Sequence, residues 1–269
     1  MTFTRILLIL FLFFSFQGVT LAQQSESSYG PFAIIQKDYI DLDGDGEKEV
    51  IELFARKNQY DLANEWALKI DGKEIGSYDN KNDLYQLADM KFVDVLQNGK
   101  LDILLYFRSV GSGGITGLTV LSYVDDGIEE IFTDQNSEDW TEQTKQRFSM
   151  KYKGNFQVHF KDQQRKLAAT IPLSKQRYQD FPDKKELQKR LSDITTCVAP
   201  ISDYRFEKFT KMKPQEIVTR QSISGIAHYD VIAYYETRYI FNKQENKYIP
   251  AEVILQSTET GKKLAEEAY

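Results

Sequence analysis

Three aspartates stand on alternate positions in "DLDGDGEKE": Asp41, Asp43 and Asp45, followed by Gly46, Glu47 and Glu49. Carboxylates this close repel one another unless each is solvated or all share a cation. If the backbone curls, the side chains of loop positions 1, 3 and 5 converge, and glycine at position 6 permits the sharp turn. The peptide carbonyl of Glu47 at position 7 and one further side chain would complete an all-oxygen shell. Such a shell suits calcium, a hard ion that takes about six to eight oxygens at roughly 2.3–2.6 Å.

Two kinds of loop share this opening. An EF-hand ends on a bidentate Glu at position 12, where Glu52 stands, but it needs an apolar residue at position 8, which here is Lys48. The following "VIELF" (Val50–Phe54) carries two β-branched residues and reads as a strand. In the β-type loop the last side-chain ligand is at position 9, immediately before a strand. The expected calcium ligands are therefore Asp41, Asp43, Asp45, the Glu47 carbonyl and Glu49, with Glu52 facing solvent.

The other reactive side chains form no recognised motif. His159 and His228 are the only histidines, and no H-E-x-x-H occurs. Asp230 lies close enough to His228 to orient it, but a lone histidine beside a strand reads as a packed residue. Cys197, the one cysteine, lies in "ITTCVAP" and reads as a buried thiol. "VGSGGITG" (Val110–Gly117) lacks the Gly-Lys-Ser/Thr ending of a phosphate loop and leads into a strand, so it reads as a mobile loop. Val110 takes the place of the first glycine of a nucleophile elbow around Ser112. The pairs Glu129-Glu130 and Glu138-Asp139 would serve a glycosidase only if the fold set two carboxylates face to face.

The elements that would position the loop are strands. "EVIELF" (Glu49–Phe54), "EWALKI" (Glu65–Ile70), "LDILLYF" (Leu101–Phe107), "LTVLSYV" (Leu118–Val124), "FQVHF" (Phe156–Phe160) and "VIAYYETRYIF" (Val231–Phe241) are strand-like runs. Asp71-Gly72 and Asp126-Gly127 separate apolar runs and signal hairpins. The chain also repeats itself. "YIDLDGDGEKEVIELF" (Tyr39–Phe54) lies over "FVDVLQNGKLDILLYF" (Phe92–Phe107) at an offset of 53, matching Asp41 with Asp94, Gly46 with Gly99 and Glu49 with Asp102. A repeat near this length built from strands points to blades or stacked β units. One helix stands out at Asp183–Ile194, with Leu187, Leu191 and Ile194 at helical spacing and a capping box of Asp183 and Glu186. A weaker one is expected over Glu138–Phe148.

"DLDGDGEKEVIELF" resembles the calcium loop of FG-GAP or VCBS repeats, found in integrin α-chain propellers and many exported bacterial proteins. The resemblance is close over Asp41–Phe54 and loose over Phe92–Phe107. It implies a D-x-D-x-D-G-x-x-D loop leading into a blade strand. Glu49 replaces the usual Asp, and the Phe-Gly and Gly-Ala-Pro elements of that repeat are absent. Leu96 and Asn98 stand at positions 3 and 5 of the second loop, which is expected to survive as a structural turn.

The ends and the charge bound the function. Arg5, the apolar run "ILLILFLFFSF" (Ile6–Phe16) and "TLA" (Thr20–Ala22) have the pattern of a secretory signal peptide over residues 1–22. The run is short against the ~20 residues of a spanning helix. Without Arg5 the chain carries 33 basic and 40 acidic side chains, a charge of −7. No Lys/Arg block is long enough to track phosphates, so nucleic acid is not an expected partner.

The expectation is thus a mainly β protein of propeller-blade-like antiparallel repeats. Residues 1–22 form the signal, 23–30 a flexible leader and 31–134 two repeat units. Residues 135–269 form a β region with a helix near 183–194. The expected function is that of an exported, calcium-stabilised, non-enzymatic surface or extracellular binding module, not stably inserted in a membrane after cleavage. An extracellular protein or wall glycan is the expected partner. The alternative is a secreted hydrolase of wall polysaccharide using paired carboxylates.

Overall fold

The computed structural model describes residues 29–79, 85–111, 113–124, 127–134, 140–208 and 213–269. The expected signal, residues 23–28 of the leader, Asp126 of the second hairpin and the pair Glu138-Asp139 lie outside them. No helix among the described residues is long and apolar enough to cross a membrane.

Alternating apolar residues and tight turns produce a mainly β chain. The first sheet is an antiparallel meander of β1 (Phe32–Ile40), β2 (Glu49–Lys57), β3 (Ala63–Ile70) and β4 (Lys73–Asp79). Asp71 and Gly72 turn β3 into β4 with φ of 49° and 76°, the left-handed pair that a two-residue hairpin requires. The second sheet repeats the plan with β5 (Leu87–Val93), β6 (Asp102–Arg108), β7 (Thr116–Val124) and β8 (Gly127–Asp134). After α1 (Trp140–Arg147) a third sheet forms from β9 (Phe148–Tyr152), β10 (Gln157–Asp162) and β11 (Leu167–Pro172). Then α2 (Lys184–Ser192) leads to a five-stranded meander of β12 (Val198–Glu207), β13 (Glu216–Ser224), β14 (Val231–Asn242), β15 (Lys247–Ser257) and β16 (Lys263–Ala268). The six strand-like runs fall on β2, β3, β6, β7, β10 and β14. The four sheets do not close into a barrel.

Both expected helices form, with two differences. Phe148 opens β9 instead of ending α1. At α2 the Asp183 carboxylate accepts the N–H groups of Lys185 (2.8 Å) and Glu186 (3.2 Å), as an N-cap should. Glu186 does not reach back to complete the box, because its carboxylate accepts from Arg190 Nε at 2.9 Å one turn on.

Three cores order the sheets in space. Ile51, Leu53 and Trp66 of the first sheet pack with Ile103, Leu105 and Phe107 of the second, and Trp66 meets Phe107 edge-on at 5.2 Å. Leu104, on the other face of β6, joins Leu118, Val120, Ile217 and Tyr248 in a core shared with the fourth sheet. Phe148, Val158 and Phe160 of the third sheet pack with Leu187, Leu191, Tyr235 and Val253. The second and third sheets thus both pack on the fourth, although the chain visits the third first. Its β13 supplies Ile217 to one core and Ile223 to the other, with buried Thr219 and Gln221 between them. Each fully buried Leu, Ile or Phe stabilises this stack by roughly 1.5–3 kcal/mol relative to exposure.

A polar knot ties α1, β10 and β14 together. The fully buried Asp162 accepts bonds from Arg147 Nη2 (2.8 Å), Arg147 Nε (3.0 Å) and the Tyr235 hydroxyl (2.6 Å). Burial alone would push the Asp162 carboxyl up, but these bonds and the Arg147 charge outweigh it and hold the group below the usual range.

Candidate metal centre

The loop between β1 and β2 is curled by its own carboxylates. Asp41 Oδ1 accepts the Gly44 N–H at 2.8 Å, and Asp41 Oδ2 accepts that of Gly46 at 3.1 Å. Asp43 accepts from Asp45 (3.1 Å), and Asp45 from Glu47 (2.7 Å). From the strand side, Glu49 Oε2 accepts the Leu42 N–H at 2.7 Å. Gly44 and Gly46 take φ of 78° and 95°, which is why glycine occupies both turns.

This curl brings together one carboxylate oxygen each from Asp41, Asp43 and Glu49, all within 4.8 Å of one another. Two oxygens around one calcium lie at most about 5 Å apart, twice the metal–oxygen distance, so the trio fits a calcium shell. Asp45 is outside the group and exposed, and Glu47 is likewise exposed. Glu52 does not simply face solvent: it pairs with Lys37 at 2.8 Å across β1 and β2.

The second loop keeps a similar set of hydrogen bonds and loses the carboxylates of the third and fifth positions. Asp94 accepts the N–H groups of Asn98 and Gly99, both at 3.0 Å, and Asn98 accepts that of Lys100 at 3.0 Å. Gly99 takes the positive φ of Gly46, and Gln97 that of Gly44. Asp102 is fully buried and accepts from Val95 (2.8 Å) and Leu96 (3.2 Å). Burial pushes its carboxyl up against these two bonds. Leu96, at the third loop position, packs against the core shared with the fourth sheet. Among the described residues the Asp41 trio is the one cluster of this kind.

The two loops also dock the sheets in series. Leu101 donates its N–H to the Leu42 carbonyl at 3.0 Å, and Gln215 donates its N–H to the Val95 carbonyl at 2.7 Å. Leu42 and Val95 are equivalent in the repeat, while Leu101 and Gln215 immediately precede β6 and β13. Each loop thus clips its own sheet to the strand start of the next one.

The remaining candidates are dispersed, with one exception. Glu129 and Glu130 are consecutive in β8 and point to opposite faces, so they do not form a facing acid pair. His159 lies in β10, partly buried. His228 sits in the turn between β13 and β14, and Asp230 does not orient it. Asp230 instead accepts from Arg177 (2.8 Å), the Tyr178 hydroxyl (2.8 Å) and the Ile226 N–H (3.0 Å). Cys197 is only partly buried, and its Sγ lies 3.6 Å from His228 Nδ1. A 31-residue separation between irregular segments left that contact without a signal in the sequence.

These features define a stack of antiparallel β meanders with a carboxylate-lined loop at the joint of the first two. Residues 146–256 match the model of the YybI C-terminal domain. The match spans β9 to β14, α2 and all but the last residue of β15, less than half of the chain and none of the acidic loop. No curated protein and no solved structure matches the chain significantly.

Proposed function

We propose that this is an exported, calcium-stabilised β-repeat protein of the FG-GAP or VCBS type, acting as a non-enzymatic surface or extracellular binding module. The convergence of Asp41, Asp43 and Glu49 within 4.8 Å carries the reading. Calcium held there, with Asp45 and the Glu47 carbonyl closing in, would relieve the mutual repulsion of the carboxylates. It would stiffen the joint at which Leu101 donates to Leu42. The loops around Val110–Gly117 would then present a face to an extracellular protein or wall glycan.

Calorimetric titration of calcium into the metal-stripped protein tests this. One site in the micromolar-to-millimolar range is expected, lost in Asp43→Ala and kept in Leu96→Ala. The melting temperature should rise with calcium, because a ligand that binds only the native state stabilises it. Absence of both heat and melting shift would sink the proposal.

A further inference from the structure

We propose that the outer face of the first sheet docks a second copy of this chain, in a twofold dimer. Strand register places Ile34, Phe54, Ala67 and Ser77 in one row across the four strands of that face. Arg56 and Glu65 lie in the row on one side of it, and Lys37, Glu52, Lys69 and Glu74 in the row on the other. The opposite face holds Ile51, Leu53 and Trp66 in the core shared with the second sheet. None of the three cores takes up the outer face, and on it Ile34 is 49% exposed and Tyr39 57%.

The repeat identifies the kind of surface this is. Leu101 and Gln215 donate to the loop of the preceding sheet, and two residues beyond each of them Ile103 and Ile217 stand on the face that packs against that sheet. At the offset of 53, Ile103, Leu105 and Phe107 correspond to Val50, Glu52 and Phe54 of the outer face. The first sheet thus carries the docking face of its successors, with no earlier sheet to meet it among the described residues. Glu52 in place of Leu105 makes the face partly polar. That suits a non-obligate interface, which is about as apolar as ordinary protein surface.

A second copy is the occupant that the charges fit. A twofold axis along the strands, between β2 and β3, lays β2 of each copy on β3 of the other. It sets Phe54 on Ala67, large on small, with Arg56 against Glu65 and Glu52 against Lys69, and each pair occurs twice. Towards the margins it sets Lys37 against Glu74. The cations stand on the face itself: Lys69 Nζ lies 4.9 Å from the centroid of the Phe54 ring, and the Arg56 guanidinium 4.8 Å from that of Phe32. Within one copy Arg56 already pairs with Glu65 at 3.3 Å, so docking joins two such pairs into a cluster of four alternating charges.

The size of the face agrees. Its strands are 9, 9, 8 and 7 residues long. Four such strands about 4.8 Å apart, rising about 3.4 Å per residue, cover on the order of 500 Å², or about 1,000 Å² over two copies. That is the lower end of specific interfaces, where reversible dimers lie. Two sheets meeting face to face with strands nearly aligned is also an ordinary packing of β structure.

The test is sedimentation equilibrium of the full chain from about 1 to 500 μM, with a chelator present so that bridging calcium plays no part. A monomer–dimer equilibrium with a dissociation constant on the order of 1–100 μM is expected for an interface of this size. Phe54→Asp should weaken it about tenfold or more, and Ile34→Asp provides a second substitution should the first fail to fold. Arg56→Glu and Glu65→Arg should each be monomeric alone and form a heterodimer when mixed, because each supplies the charge that the other lacks. A purely structural role for these residues would not respond to mixing. A chain monomeric at every concentration overturns the proposal and leaves the face to a partner of other chemistry. Association beyond a dimer, a dimer indifferent to both apolar substitutions, or charge variants that stay apart on mixing would each overturn it too.

Discussion

Leu42 donates its peptide N–H to the Glu49 carboxylate at 2.7 Å, closing the acidic loop from the strand that follows it. Fifty-three residues on, Val95 donates to Asp102 at 2.8 Å in the same relation. Glu216 stands at the same place in β13, but its carboxylate pairs with Arg238 at 3.2 Å. A curled loop leaves N–H groups without strand partners, and an acid at the first strand position satisfies them.

Asp102→Ala should therefore be costly without any metal being involved. It leaves the Leu96 N–H without its acceptor and the Val95 N–H with only its 3.0 Å bond to the Val93 carbonyl. The expected loss is about 2 kcal/mol after the relief of burying one carboxyl fewer. Glu49→Gln keeps an acceptor oxygen and should cost less than about 1 kcal/mol in calcium-free urea titrations.

Asp43 and Asp45 are not expected to be equal. Asp43 already contributes an oxygen to the trio, whereas Asp45 lies outside it. Asp43→Asn should weaken calcium binding by about tenfold or more, since ligand charge sets affinity in such loops, and Asp45→Asn by less. Isothermal titration of the two variants side by side decides it. A larger loss in Asp45→Asn would mean that the loop rearranges when it takes the ion.

Asp134 gives stability a slope at mildly acidic pH. Burial pushes its carboxyl up to about 6, against the hydrogen bond from Tyr239 and the charge of Arg147. The unfolded value is about 3.9, so between about 4 and 6 the native state holds more protons than the unfolded one. Its contribution therefore falls as pH rises through that window. Asp134→Asn, whose amide oxygen still accepts from Tyr239, should remove the slope and stabilise the protein at pH 7 on the order of 1–2 kcal/mol. Melting curves from pH 4 to 7 read this directly.

Asp162 acts in the opposite sense and lower on the scale. Its carboxyl is held below the usual range, so its contribution is present above about pH 4 and lost as pH falls through the lowered value. Arg147→Ala strands this buried charge and should cost about 3–5 kcal/mol. Tyr235→Phe removes one neutral donor and should cost about 1–2 kcal/mol. Chemical denaturation at neutral pH separates the two.

What was legible in the sequence was local. Short runs rich in β-branched and aromatic residues marked β2, β6 and β14, Asp71-Gly72 marked its hairpin, and Asp183 marked the start of α2, because each rests on neighbouring residues. The equivalence of Leu42 with Val95 was legible as a repeat, and the structure carries it down to matching hydrogen bonds. That the second loop would dock on the start of β13 was not legible, because the third sheet and α2 intervene in the chain. The Cys197–His228 contact joins the approach to β12 with the β13–β14 turn, and periodicity carries no information about such pairs.

The spatial order of the sheets sets a timetable for synthesis. The first two meanders share a core and can close on one another as soon as both have been made. The third sheet is made next, but Phe148, Val158 and Phe160 wait for Tyr235 and Val253, which arrive 75 or more residues after Phe160. Long-range pairing of this kind is slow and leaves a sticky intermediate exposed. A chain ending at Ile194 would thus present an uncovered aromatic face rather than merely lack its last sheet, and the C-terminal half must complete as one event.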